Sequence, residues 1–222
     1  MARPSYPQAG EPRPDALPPE RRTVGQLIAE AIRFFGDNFL RALLLGLAPA
    51  ALTLVAATLS RTVTFVVVPS IGGALLSATY VAACVLVLDV HPSRRRLVYA
   101  WVAGWAVFVP VPFLVLFYIL PAVAWLAALG LVVPALLVED IAPQAAVVRA
   151  WKLARADYVH ALGALATLAI LVLLTQGVLI FLLRGAGDAE IATASVLASI
   201  VISPLLFIGT ALLYVDQAAR VE

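Results

Sequence analysis

The side chains of this chain that could do chemistry are two histidines, one cysteine and a few acids. His91 and His160 lie far apart in the sequence, without a metal-ligand spacing between them. Cys84 is the only cysteine and lies inside an apolar run, so a disulfide within the chain is excluded. The sequence has neither a Gly-rich phosphate loop nor an H-E-x-x-H motif. It therefore predicts no metal site, no cofactor and no enzymatic activity.

Three acids, Asp89, Glu139 and Asp216, each follow a long apolar run. Transporters and proton relays commonly place ionisable groups near the middle of the membrane, whereas the central parts of these runs carry no charge. Two interpretations of the acids stay open. They could form an interfacial acidic cluster that guards an inner vestibule, or they could pair with nearby bases. The bases considered are Arg94, Arg149, Lys152 and Arg220.

The elements that must position these acids are apolar segments of membrane-spanning length. Hydrophobic residues make up 63% of the 222 residues and charged residues 13%, and the mean hydropathy is +1.01. Soluble domains are about half apolar and a quarter charged, so this composition predicts a multi-pass α-helical membrane protein. A span needs about 20 residues. The six predicted spans cover about 40–59, 63–88, 97–119, 121–138, 159–183 and 191–215.

The third and fourth spans come from one uncharged stretch, residues 97–137. The stretch is about twice as long as a single span requires, so it must form a hairpin. Proline ends helices and marks turns. We therefore expect the bend of this hairpin at Pro121.

The distribution of charge predicts the orientation in the membrane. Of the fifteen Lys and Arg residues, all except Arg61 and Arg184 fall on one side of the predicted arrangement. By the positive-inside rule this side is cytoplasmic, and it holds both termini. Arg greatly outnumbers Lys among abundant Ala, Leu and Val, which is typical of a GC-rich bacterial genome. The predicted location is the bacterial cytoplasmic (inner) membrane.

Two segments outside the spans have the pattern of amphipathic interfacial helices. Residues 23–37 open with a capping box, Thr23 and Gln26, and apolar residues then recur along one side. Residues 143–157 begin at Pro143, which suits the first turn of a helix. The predicted apolar stripe of this second helix is Val147, Trp151, Ala154 and Tyr158. Both segments are too polar to span, and we expect them to lie in the headgroup region.

The chain is predicted to divide into a tail and one transmembrane domain. Residues 1–22 are rich in proline and mixed charge and have no apolar run, so we expect a disordered cytoplasmic tail. Residues 23–222 form the six-helix domain. Within it, residues 30–43 align with residues 149–162 at an offset of 119. This predicts a parallel internal repeat, although any two basic helices that lead into a membrane share such residues.

Two stretches carry a resemblance to a known family. The first runs from Val133 through Glu139 to a Trp151-x-Leu153 helix with basic residues. In the second, the last span contains a proline and ends in Tyr-Val-Asp with an arginine close behind. With the opening segment 23–43, they resemble the bacterial family named for the membrane domain of glycerophosphoryl diester phosphodiesterase. Gln217 and Ala218 depart from the basic cluster that is usual after this Asp.

The resemblance implies a multi-pass bacterial membrane protein and no activity. Some family members are fused to a phosphodiesterase domain, and this chain has no segment that could form one. From the basic amphipathic segments we expect a non-enzymatic scaffold or accessory domain that engages membrane lipids, a protein partner or a second copy. Nucleic acid is not an expected partner. The candidate cytoplasmic-face lipid contacts are Arg33, Arg41, Arg149, Lys152 and Arg155.

The alternative function is a small transporter or a permease-like subunit. The last span carries Ser195, Ser199 and Ser203 on one face. These hydroxyls could line a polar path beside a Pro-broken helix, or they could hydrogen-bond to a neighbouring helix. The transporter hypothesis predicts a water-accessible cavity that reaches the middle of the membrane.

Overall fold

The computed structural model describes residues 18–185 and 187–221, and it is helical throughout, with no strand in those ranges. Most of the predicted tail, residues 1–17, lies outside the described residues. The α-helices are α1 (Val24–Asp37), α2 (Phe39–Thr58), α3 (Arg61–Val67), α4 (Gly73–Leu88), α5 (Arg94–Phe108), α6 (Val111–Phe117), α7 (Ile119–Leu129), α8 (Val132–Val138), α9 (Pro143–Ala156), α10 (Tyr158–Leu182) and α11 (Asp188–Ala219).

Within the described part of the chain, six helical stretches are apolar and long enough to cross a membrane. They are Phe39–Ala56, Thr62–Leu88, Arg94–Phe117, Ile119–Val138, Tyr158–Leu182 and Ala189–Ala219. The predicted fold class, an all-α bundle with six spans, is confirmed. The mean hydropathy of each stretch is 2.0 or higher, so lipid is the solvent that these helices fit.

Three of the six spans are broken inside the bundle. A π-helical turn, Val68–Gly72, joins α3 to α4 around Pro69. The third span breaks at Pro110 between α5 and α6, and the fourth breaks at Gly130 between α7 and α8. Proline cannot donate the helical hydrogen bond and clashes with the preceding turn, which explains the first two breaks.

Aromatic side chains hydrogen-bond to carbonyls at or near these breaks. Trp105 donates to the carbonyl of Ser70 at 2.9 Å. Tyr80 donates to the carbonyl of Gly130 at 3.0 Å. A backbone group left unpaired in lipid is costly, so neighbouring helices stabilise the irregular backbone. Trp105 therefore makes a structural contact between the third span and the π-helical turn of the second.

The hairpin between the third and fourth spans bends at Tyr118, not at Pro121. Tyr118 is extended, with φ −173° and ψ 161°, and separates α6 from α7. Pro121 lies in the first turn of α7, where its missing N–H costs nothing because the first amides of a helix have no intrahelical acceptor. The prediction that placed the bend at Pro121 is wrong, because this proline lies inside the first turn of α7.

The helix ends alternate between two faces of the bundle, as an even number of spans requires. One face, here called the basic end, carries α1, the loop 89–93, α9 and the C-terminus. Three ion pairs described below lie at this end: Arg22–Asp216, Arg96–Asp140 and Arg149–Glu139. The other face carries the turns near Ser60, Tyr118 and Arg184. The structure thus brings the basic segments together, and their assignment to the cytoplasm belongs to the proposal below.

The two basic helices have matching bounds. Helix α1 and helix α9 are both 14 residues long, and each bound of α9 lies 119 positions after that of α1. The helices that follow them, α2 and α10, begin at the same offset. This agrees with the repeat predicted from the sequence.

Helix α1 begins as the sequence predicts but packs against more protein than expected. The Thr23 and Gln26 capping box forms. Leu27 and Ala31 on the apolar side are fully buried, because α1 lies against α10 and α11. The ordered chain also extends before Thr23, since Pro19–Arg21 forms a 3-10 turn. Residues 18–22 are therefore not part of a disordered tail.

Candidate functional site

Glu139, just after α8, joins three elements at the basic end. Arg149 of α9 donates from Nε to both carboxylate oxygens of Glu139, at 2.8 and 3.0 Å. Tyr214 of α11 donates its hydroxyl to Oε1 at 3.0 Å. Both members of the ion pair are partly buried, where charge-assisted hydrogen bonds are stronger than at a fully exposed site. The contact fastens α9 to the end of the bundle.

Asp216 of α11 is the most deeply buried of the three predicted acids, with a side chain that is 0% exposed. Arg22 lies 2.9 Å from its Oδ1. His160 Nε2 lies 3.6 Å from its Oδ2, which is beyond ordinary hydrogen-bond distance. A buried carboxylate is strongly destabilising unless it is paired, so Arg22 provides the charge that lets Asp216 lie inside the protein.

Asp157, between α9 and α10, organises the residues around this ion pair. Its Oδ1 accepts from the amide of His160 at 2.9 Å and so caps α10. Its Oδ2 pairs with Arg220, and its backbone carbonyl accepts from the buried Gln217 at 3.0 Å.

Arg220 also donates to the carbonyl of Arg22 at 2.9 Å. The Asp216 network therefore joins the N-terminal segment to the ends of α10 and α11. Its members are Arg22, Asp157, His160, Asp216, Gln217 and Arg220.

Asp89 has different surroundings from the other two acids. It ends α4 in the left-handed conformation, with φ 49°, and its side chain is exposed. Together with Arg41 and His91 it lines an open groove beside the start of α2.

Glu139 and Asp216 are ion-paired, as the pairing interpretation expects. The arginine paired with Asp216 is Arg22, which the sequence argument did not consider.

Sequence reasoning missed Arg22, Asp157 and Gln217 as members of the site. Arg22 and Asp216 are 194 positions apart, and no local pattern joins them. Asp157 did have a usable signal, because an Asp directly before a helix is a common N-cap. Gln217 was noted only as a departure from the family pattern, whereas the structure buries it completely.

The five predicted lipid-contact residues differ in whether their side chains are ion-paired within the protein or exposed at its surface. Arg149 is engaged with Glu139, and Arg33 lies 3.0 Å from Glu30. The other three, Arg41, Lys152 and Arg155, are exposed at the surface.

Helix α9 divides its apolar residues between two sides. Ala146, Ala150 and Leu153 are fully buried against the bundle. The stripe predicted from the sequence is mostly on the other side, where Trp151 is 46% exposed and the neighbouring Val148 is 70% exposed. Only Ala154 of that predicted stripe is buried among the described residues. The helix therefore packs on protein with one side and leaves an apolar side uncovered.

No protein-family model, curated protein or solved structure matches this chain. The resemblance to the phosphodiesterase membrane-domain family therefore stays a prediction. The function has to be argued from the geometry of the basic end and of the bundle interior.

The serines of α11 make contacts within the bundle. Ser199 Oγ accepts from Gln176 of α10 at 2.9 Å and lies 3.4 Å from the hydroxyl of Thr53 of α2. Ser203 donates to the carbonyl of Ser199 in its own helix. Gln176 also donates to the carbonyl of Ser195 at 3.2 Å. These hydrogen bonds join α2, α10 and α11, which is what a packing role predicts.

A small cavity lies elsewhere in the bundle. Its volume is about 30 Å³, which is the share of one water molecule in the liquid. Tyr80, Phe108 and Phe207 are among the residues that line it, and none of the three serines is. This cavity is far smaller than a typical small-molecule site, which occupies about 300–1,000 Å³. A larger, open groove of about 670 Å³ lies beside the first two breaks. Pro69 and Pro112 are among the residues that line it, and none of the three serines is.

Proposed function

We propose that this protein is a non-enzymatic membrane scaffold whose helix α9 engages anionic lipid headgroups at the cytoplasmic face of a bacterial inner membrane. The observation that carries the proposal is the uncovered side of α9. Trp151 and Val148 are exposed there beside the exposed cations Lys152 and Arg155. An aromatic ring and aliphatic groups beside cations fit the boundary between acyl chains and headgroups.

The position of α9 supports this proposal. Its opposite side is packed on the bundle, and Arg149 fixes it through Glu139, so the exposed side is held at the level where the spans end. The guanidinium of Arg155 lies 5.1 Å from the centroid of the Trp151 ring, a cation–π arrangement. Each cation near an anionic leaflet contributes about 1 kcal/mol.

The buried histidine favours a structural role over an enzymatic one. His160 faces the carboxylate of Asp216, which is the kind of convergence that an enzyme would need. Its side chain, however, is 8% exposed and that of Asp216 is 0% exposed, so a substrate would have to displace the N-terminal segment to reach them. Membership of the phosphodiesterase membrane-domain family stays part of the proposal, as does a protein partner or a second copy of the chain.

The proposal is tested with the full chain in detergent, supplied with phosphatidylglycerol or phosphatidylcholine. A lipid that binds the folded state raises the thermal midpoint, so the difference between the two lipids measures the preference for an anionic headgroup. The double variant Lys152→Gln/Arg155→Gln should lose most of this difference. Two lost cations correspond to about 2 kcal/mol, or roughly thirtyfold in affinity.

Arg184→Gln is the matched control. Arg184 is also exposed and also lies over an aromatic ring, that of Phe181, but it is at the opposite end of the bundle. We expect this variant to keep the preference for phosphatidylglycerol. An equal loss in the control, or no loss in the α9 variant, contradicts the proposal. Arg149 is left unchanged because it holds Glu139.

A further inference from the structure

A second polar surface of the basic end lies between the start of α5 and the start of α9. It is a groove of about 420 Å³, within the usual range of small-molecule sites, about 300–1,000 Å³. This headgroup groove is lined by Ser93, Arg95, Arg96, Tyr99, Leu136, Asp140, Ile141, Ala142 and Pro143.

Two arginines give the headgroup groove its positive charge. Arg95 donates from Nε to the hydroxyl of Tyr99 at 2.8 Å, and its guanidinium lies 5.3 Å from the centroid of that ring. Tyr99 thus holds the side chain along the groove, while a guanidinium has four further N–H donors on its terminal nitrogens. Arg96 is paired with Asp140 on the far side. Because Asp140 is 87% exposed, an incoming anion could compete for Arg96.

Helix α9 begins at the edge of the same groove. Its N-cap residue is Ala142, which has no side-chain oxygen, and its first residue is Pro143. The amides of the first turn of a helix lack intrahelical acceptors and attract anions. Ser93, by contrast, already caps α5 by accepting from the amide of Arg96. Ala142 and Pro143 line the groove, so the uncapped start of a 14-residue helix borders the space beside the two guanidinium groups.

The surface next to the headgroup groove is suited to acyl chains. Along α5, about one, two and three turns beyond Arg95, the side chains of Val98, Val102 and Trp105 are 54%, 47% and 38% exposed. They lie on a predicted span, so lipid is the expected surrounding. A phosphodiester in the groove would therefore have apolar surface directly beneath it for the rest of a phospholipid.

We propose that the headgroup groove binds the phosphodiester of an anionic phospholipid, with Arg95 and Arg96 as the charged donors. This inference rests on the proposed function, since it assigns a discrete site to the lipid that the basic end engages. It goes further in naming a phosphate group as the ligand and a groove away from the exposed side of α9 as its location.

The test titrates the full chain in detergent with short-chain phosphatidylglycerol, short-chain phosphatidylcholine and inorganic phosphate. Calorimetry is performed at about 0.5 M salt, where the Debye length is about 4 Å and general surface attraction is screened. The chain should bind phosphatidylglycerol more tightly than the other two ligands. Arg95→Gln removes charge-assisted hydrogen bonds and should weaken this binding about tenfold or more.

Two further variants separate the site from a general charge effect. Arg94→Gln makes the same change one residue earlier, at an exposed arginine that is not among the groove-lining residues, and should alter affinity less than about twofold in this salt. Asp140→Asn removes the carboxylate that competes for Arg96 and should strengthen binding about fivefold. A gain of affinity cannot arise from a damaged fold.

Each other result overturns a defined part of the inference. Equal losses in Arg95→Gln and Arg94→Gln, or no gain in Asp140→Asn, exclude the headgroup groove as the site. Inorganic phosphate that binds as tightly as phosphatidylglycerol shows that the ligand is a free phosphate and not a lipid. If only the α9 double variant loses its lipid preference, the groove inference fails and the proposed function stands. If only Arg95→Gln loses binding, the α9 contact fails instead.

Discussion

Replacing Arg22 with Gln leaves the buried carboxylate of Asp216 without the guanidinium that lies 2.9 Å from it. The side chains of Arg22 and Asp216 are 11% and 0% exposed, so water cannot take the place of the lost charge. Removing one member of a buried ion pair costs about 3–5 kcal/mol. We expect Arg22→Gln to lower the free energy of unfolding by that amount.

The double variant Arg22→Gln/Asp216→Asn should recover most of this loss. It removes both charges together, and an uncharged pair of similar volume no longer carries the penalty of a lone buried carboxylate. Arg33→Gln is the control, because its ion pair with Glu30 is more exposed, with side chains that are 37% and 23% accessible. Such a pair contributes about 0–1 kcal/mol to the free energy of unfolding.

The assay is unfolding in mixed micelles by added SDS, followed by circular dichroism, with all four proteins at one pH. The reasoning about Asp216 is refuted if Arg22→Gln costs no more than Arg33→Gln. It is also refuted if the double variant is no more stable than Arg22→Gln, because the loss would then come from other contacts of Arg22. A fifth protein, Asp216→Asn, completes the double-mutant cycle that separates these contributions.

Two further predictions use cysteine labelling on a Cys84→Ser background. Ser199→Cys should resist a membrane-impermeant maleimide in the folded protein, since Ser199 is buried and lies against Gln176; rapid labelling would instead favour the transporter hypothesis. In spheroplasts, Arg184→Cys should be labelled from outside and Arg155→Cys only after permeabilisation; the reverse pattern would contradict the cytoplasmic assignment of the basic end.

The spans were predictable because hydropathy alone selects them. A stretch of about 20 uncharged apolar residues has no other stable environment, and their bounds need little tertiary information. The starts of α1 and α9 were also predictable, since Thr23, Gln26 and Pro143 act within a single helical turn. Local chemistry determines these features, so local sequence reveals them.

The breaks within the spans and the Asp216 network were not predictable in the same way. Proline has two opposite local effects, since it breaks the third span at Pro110 and is accommodated in the first turn of α7 at Pro121. The Arg22–Asp216 contact joins opposite ends of the chain. The geometry of this contact follows from how α10 and α11 pack, and a periodic pattern in the sequence does not contain that information.

The exposed side of α9 is a third feature that could not be predicted from the sequence alone. Sequence periodicity identifies an apolar stripe but not what covers it, and α9 has apolar residues on two sides. The bundle covers Ala150 and Leu153, and most of the predicted stripe, including Trp151, stays exposed. The prediction of lipid contact depends on this difference, so it needed the structure.

The central claim is that the exposed side of α9 engages anionic lipid through its cations. It is tested most directly by the thermal midpoint in phosphatidylglycerol minus that in phosphatidylcholine, compared between the unaltered chain and Lys152→Gln/Arg155→Gln. The account predicts a clear positive difference for the unaltered chain and its near loss in the variant, with Arg184→Gln unchanged. A difference of the same size in all three proteins would contradict it.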